Sequence, residues 1–160
     1  MAHYNRPSGK RGNMGYSRTS PGMKKRSGWL TLGRKNNNLT NSLKAVEHGL
    51  SFQTLQRFEK ESGLPSTAIA QILRLPRRTL SRRKAAGRLS DLESERLVRL
   101  AGLYQKALDL FEGDAAATRA WLSSPNRALA RRAPLSLAAT ELGARVVEDL
   151  IGRLEYGVYS

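Results

Sequence analysis

Arg77-Arg78-Thr79-Leu80-Ser81-Arg82-Arg83-Lys84 is the stretch whose side chains are best suited to chemistry, and that chemistry is polyanion recognition. A guanidinium can bond guanine O6 and N7 together, and Ser or Thr suits a phosphate or either base edge. On a helix, Arg77, Arg78, Ser81 and Arg82 share an exposed face, with Thr79 near its start. Arg83, Lys84 and Arg88 lie toward the helix end and suit phosphate. The alternatives for this string are a solvated basic helix end or a surface for RNA or another anion.

No residues are placed for catalysis. The two histidines, His3 and His48, have no partner at triad or metal-ligand spacing. Glu148 and Asp149 are adjacent and so point to different helix faces. Glu93 is explained by helix capping. With no cysteine, thiolate nucleophiles, disulfides and cysteine-based metal sites are excluded. The expectation is a chain that is not an enzyme, with no catalytic residues, no metal and no cofactor.

Charge divides along the chain. Residues 1–88 carry nineteen basic and three acidic side chains, and residues 89–160 carry nine and ten. The whole net charge of +15 therefore comes from the first half, which suggests one half meeting a polyanion and another meeting something else. An isoelectric point of about 11.1 points to nucleic acid, an anionic membrane or an acidic protein surface. The membrane is the weakest of these. No run of ~18 apolar residues exists, and no helix sets basic residues against a large aromatic and leucine face. The N-terminus lacks the apolar stretch of a secretory signal. The expectation is a soluble, cytoplasmic protein.

The elements that must position these residues are helical. Residues 1–45 read as a disordered basic tail, rich in Gly, Ser, Asn and Pro, either solvated or tracking phosphates. Ser51 can cap a helix bearing Phe52, Leu55 and Phe58 that stops at Gly63. Pro65-Ser66 opens a short helix with Ala68, Ile69, Ile72 and Leu73 inward. Pro76 opens a third, which Gly87 ends. Ser90 and Glu93 form a capping box for a long helix over about 90–112. Its apolar arc includes Leu97, Leu100, Leu103, Tyr104 and Ala107, wider than one neighbour usually covers, which suggests a dimer contact. Helices follow at 115–122, from Pro134 to Leu142 with Gly143 as the stop, and over 144–155. The last buries Val147, Leu150, Ile151 and Leu154, and Gly157 follows it as a C-terminal cap. No segment alternates long enough for a strand, so the fold class is all-α.

Residues 66–73, 74–76 and 77–86 describe a helix-turn-helix. Three features depart from the usual pattern: Arg74 where the turn usually has Gly, Pro76 in place of a polar cap, and Arg83 where an apolar residue is often buried. One such module specifies weakly alone and works as a dimer on half-sites about one DNA turn apart. A homodimer on operator double-stranded DNA is thus the expected partner state. A site covering ~6–10 phosphates loses ~10³–10⁵ in affinity between 50 and 200 mM salt.

The second half supplies a family resemblance. Its pieces are Trp121-Leu122 with Pro125-Asn126, Leu129, Arg132-Ala133-Pro134 with Leu137, Thr140-Glu141-Leu142-Gly143, and Val146-Val147-Glu148-Asp149-Leu150 through Arg153 and Tyr156-Gly157. They resemble the C-terminal toxin-binding domain of Xre/MbcA/ParS antitoxins. Residues 51–112, including RRTLSRRKAAGRLS, are similar to the Xre-type helix-turn-helix of the same proteins. The resemblance implies an antitoxin of a type II toxin–antitoxin pair. Its partner would be a cognate RES-fold toxin that consumes NAD⁺ or transfers its ADP-ribose. The antitoxin would block the NAD⁺ site and repress its own operon. The expected division is then a tail over 1–45, a DNA-binding and dimerisation region over 46–112, and a toxin-binding domain over 113–160.

The tip of the last helix suits toxin contact. With Gly157 ending the last helix, Tyr156, Val158 and Tyr159 would make a short aromatic and apolar plug. Arg153, Glu155 and the Ser160 carboxylate would meet polar groups of a nucleotide cleft. Intrachain packing is the alternative for the tyrosines, and a solvated loop for Arg131 and Arg132. Two other functions stay open: a stand-alone transcriptional regulator without a toxin partner, and an RNA-associated structural protein. The basic helix lacks the interleaved aromatics that single-strand readers need.

Overall fold

The computed structural model describes residues 46–157, and the expectations for residues 1–45 and for Val158, Tyr159 and Ser160 lie outside them. The elements in order are α1 (Phe52–Ser62), α2 (Ser66–Leu73), α3 (Arg77–Ala86), α4 (Asp91–Leu110), α5 (Ala115–Ser123), a 3-10 turn (Arg127–Leu129), α6 (Pro134–Leu137) and α7 (Glu141–Glu155). Among the described residues there are isolated bridges, Ser51 to Arg88 and Asn126 to Arg132, but no strand. The molecule is all-α, with a helix-turn-helix followed by a small helical domain.

Local chemistry sets most of the helix ends. Ser51 Oγ accepts from Thr54 N at 3.3 Å, and Gly63 closes α1 at φ 63°. Ser90 and Glu93 form both halves of the capping box of α4, with Glu93 N donating to Ser90 Oγ and Ser90 N donating to Glu93 Oε2. Asp114 caps α5 by accepting from Ala116 N and Ala117 N. Gly157 lies at φ 63°, as a left-handed residue after a helix should.

The C-terminal helices differ from the expected boundaries. Thr140 Oγ1 accepts from Gly143 N at 3.1 Å, so Thr140 caps α7 and Gly143 lies inside its first turn rather than stopping a helix. A Cβ on Gly143 would come 2.2 Å from the Leu137 carbonyl oxygen. This glycine therefore permits close approach. The preceding helix shrinks to Pro134–Leu137.

The core is built around α4, which packs against α1, α2, α5 and α7. Leu97, Leu100, Leu103, Tyr104 and Ala107 are all buried among these neighbours. Most of the apolar arc is covered within the chain, while Leu92 at its start stays 59% exposed. Tyr104 sets its ring edge against Phe58, with centroids 6.0 Å apart, and its hydroxyl donates to the Ser62 carbonyl at 3.3 Å. Burial raises the Tyr104 pKa, partly opposed by Arg119. Phe111 meets Trp121 at 6.0 Å and joins the end of α4 to α5. Truncating a buried leucine here, Leu100 or Leu103, costs about 2–5 kcal/mol.

The residues leading into α1 are tied to the end of the basic helix. Leu50 N donates to buried Ser94 Oγ at 2.8 Å, Leu89 N to Leu50 O at 2.9 Å, and Phe52 N to Gly87 O at 2.9 Å. These bonds fix where α3 ends relative to α1 and α4.

Candidate DNA-facing and toxin-facing surfaces

The basic surface is α3, which has no buried residue of its own. Leu80 is half-buried against the core, and Leu75, in the turn before α3, is buried. The turn is made by Arg74 in the left-handed region at φ 55°, ψ 47°, where a non-glycine residue is strained. Leu75 N donates to Ala70 O at 2.8 Å and tightens it. Pro76 contributes no side-chain cap, and Arg77 and Arg78 occupy the first turn with no acid. Two cations at the positive end of a helix repel it by about 0.3–1 kcal/mol each, which an anion would relieve.

The eight basic-half candidates separate in space. Arg77, Arg78, Arg82 and Lys84 are exposed, as is Arg74, which the sequence reading left to the turn. Ser81 is exposed, but its hydroxyl donates to the Arg77 carbonyl at 3.1 Å. Thr79 is half-buried. Arg83 turns back into the molecule: its Nε donates to both carboxylate oxygens of Glu93, at 3.0 and 2.8 Å. Arg88 donates to the His48 carbonyl at 2.8 Å. Arg83 thus fills the position of the expected buried apolar residue by pairing with a carboxylate that is itself buried.

The far surface is one side of α7. Its inner side buries Ala144, Val147, Leu150 and Ile151. Its outer side exposes Leu142 at 75%, Val146 at 41% and Tyr156 at 82%. With Asp149 and Arg153 these make one stripe at alternating spacings of four and three, the pattern of a helix seam. Gly152 lies beside it, and a Cβ there would touch nothing. Arg153 and Glu155 are exposed next to Tyr156. Sequence reasoning missed Leu142 and Val146; the signal was that alternating spacing. No group of His, Cys, Asp or Glu among the described residues is arranged to hold a metal ion.

These two surfaces, on one helical scaffold, define a class: a helix-turn-helix protein with an appended helical interaction domain. Comparison makes it specific. Residues 42–102 match the antitoxin Xre-like helix-turn-helix domain, and residues 106–157 match the antitoxin Xre/MbcA/ParS C-terminal toxin-binding domain. The chain is 36% identical over 142 residues to "Antitoxin Xre" of Yersinia enterocolitica, covering 88% of this chain and 96% of that protein. It is 31% identical over 133 residues to "Antitoxin Xre" of Photorhabdus laumondii, covering 82% and 90%. The chain belongs to the Xre antitoxin family. No helix among the described residues is long and apolar enough to cross a membrane.

Proposed function

We propose that this chain neutralises a RES-fold, NAD⁺-consuming toxin by closing its active site, and that it binds its own operator as a repressor. The observation that carries the toxin half is the exposed stripe on α7. Leu142, Val146 and Tyr156 are three of the four large hydrophobic side chains left exposed among the described residues, the first two on α7 and Tyr156 as its C-cap. That helix lies within the matched toxin-binding domain. Such a stripe lays into a complementary groove, with Leu142 and Val146 as anchors one helical turn apart and Tyr156 at the far end. It leads to Tyr156 and Gly157, from which Val158, Tyr159 and the Ser160 carboxylate reach into the cleft. Gly152 lets the toxin surface approach the helix backbone.

The operator half rests on α3. Arg77, Arg78 and Arg82 read or grip the duplex, with Arg74 and Lys84 on the backbone. Two copies sit on successive half-sites, as a homodimer in the cytoplasm. The chain itself performs no catalysis; the NAD⁺ chemistry belongs to the toxin.

Co-expression tests the first half. A RES-fold toxin encoded beside this chain should consume NAD⁺ alone and stop when the full chain is co-purified with it. Val146→Asp places an unpaired charge in the stripe and should restore NAD⁺ consumption while leaving the fold intact, since Val146 faces away from the core. Undiminished inhibition by that variant would move the contact off α7.

A further inference from the structure

The segment between α5 and α6 carries three arginines that neither surface uses. Arg127, Arg131 and Arg132 are exposed, and among the described residues none has a guanidinium hydrogen bond or ion pair. Three other cations of this half are met inside the chain. Arg145 pairs with Glu141 at 2.6 Å, Lys106 with Glu148 at 2.6 Å, and Arg119 donates to the Ser62 carbonyl at 3.4 Å.

The three arginines stand on a rigid turn. Asn126 N donates to Arg132 O at 3.1 Å, Arg131 N to Asn126 O at 2.9 Å, and Arg132 N to Leu129 O at 3.0 Å. Asn126 Oδ1 accepts from Ala128 N at 2.9 Å, and buried Leu129 anchors the base. Ala130 and Arg131 are consecutive left-handed residues, at φ 52° and φ 61°. Two positive φ angles in a row define a turn that ordinarily takes Asn or Gly, and this one has neither.

The position of the turn selects its partner. Ser123, where α5 ends, and Ala133, where the chain enters α6, line one cleft with Thr67 and Gln71 of α2. In helix-turn-helix docking the supporting helix crosses the sugar–phosphate backbone. The two ends of the segment that carries the arginine turn therefore meet the element that lies over phosphate.

We propose that Arg127, Arg131 and Arg132 form a second phosphate-binding surface, so that the domain matched for toxin binding also grips the duplex beside the stretch held by α3. The inference rests on the duplex-binding reading above. The cleft shares no residue with the exposed side of α7, so the two surfaces can be separated by mutation.

The test uses the full chain, a synthetic duplex of arbitrary sequence and fluorescence anisotropy over a salt series, because phosphate contacts carry no sequence information. Each contact adds about 0.9 to the logarithmic salt slope. Between 50 and 200 mM salt, wild type should lose roughly forty-fold more affinity than the triple variant Arg127→Ala, Arg131→Gly, Arg132→Ala. The variant should melt no lower than wild type, since glycine accepts the left-handed turn, and should still inhibit the toxin. Should the triple variant melt early, Arg131→Gly alone decides, with an expected slope change of about 0.9. A folded variant with the wild-type slope overturns this proposal alone; if it has also lost the toxin, the arginines belong to that interface. A wild-type chain with no salt-dependent affinity overturns this proposal and the duplex-binding reading together.

Discussion

The carboxylate of Glu93 accepts from Ser90 N at 2.8 Å and from Arg83 Nε through both of its oxygens. It starts α4 and holds the far end of α3 with the same atoms. Glu93→Ala removes a cap contribution of about 1 kcal/mol and leaves Arg83 half-buried without its partner, at about 1–2 kcal/mol more. A denaturant melt should show a loss of about 2–3 kcal/mol. Arg83→Ala should weaken duplex binding by loosening α3 yet keep the wild-type salt slope, because this guanidinium is spent inside the chain. A slope lower by about 1 would mean that Arg83 meets phosphate after all. Ala130 gives the opposite sign of stability change. It occupies the left-handed region with φ 52°, so Ala130→Gly should raise stability by about 1 kcal/mol, read as a higher Tm.

At the level of elements, α7 begins where it does because Thr140 caps it and Gly143 lets Leu137 come close. Gly143→Ala sets a Cβ 2.2 Å from the Leu137 carbonyl oxygen. Overpacking of that kind costs about 1–3 kcal/mol, and the measurable result is a lower unfolding midpoint. Gly152→Ala, open to solvent, should instead be neutral or stabilising alone and weaken only the toxin complex. Most helix ends are legible in the sequence because capping is local: Ser51, Gly63, Gly87 and the Ser90–Glu93 box each act within a few residues. Gly143 misleads because a glycine that stops a helix and one that admits a neighbour look alike until the neighbour is known. The arc on α4 also needs its neighbours to be known. Its width counts apolar side chains but does not say that α1, α2, α5 and α7 of the same chain cover them. On α3, spacing alone cannot show that Arg83 turns inward to Glu93 while Arg77, Arg78 and Arg82 remain exposed.

For the whole molecule, the separated surfaces make separable variants. Arg78→Ala with Arg82→Ala should weaken duplex binding and leave toxin inhibition at the wild-type level, by anisotropy and an NAD⁺ consumption assay respectively. Deleting residues 156–160 should do the reverse. Loss of both activities from either change, in a chain that still melts at the wild-type temperature, would mean that the two surfaces are coupled.

That separability ends at α4. The Asp91–Leu110 rod runs from one matched region into the other, its first turn clamping the basic helix and its remaining length bedding α7. Among the described residues α4 leaves no seam at which a protease or a deletion could free one working half from the other. A genetic screen for defective silencing and one for defective rescue from poisoning should therefore return the same buried positions, Leu97, Leu100, Leu103 and Tyr104, and calorimetry should record one heat-absorption peak rather than two.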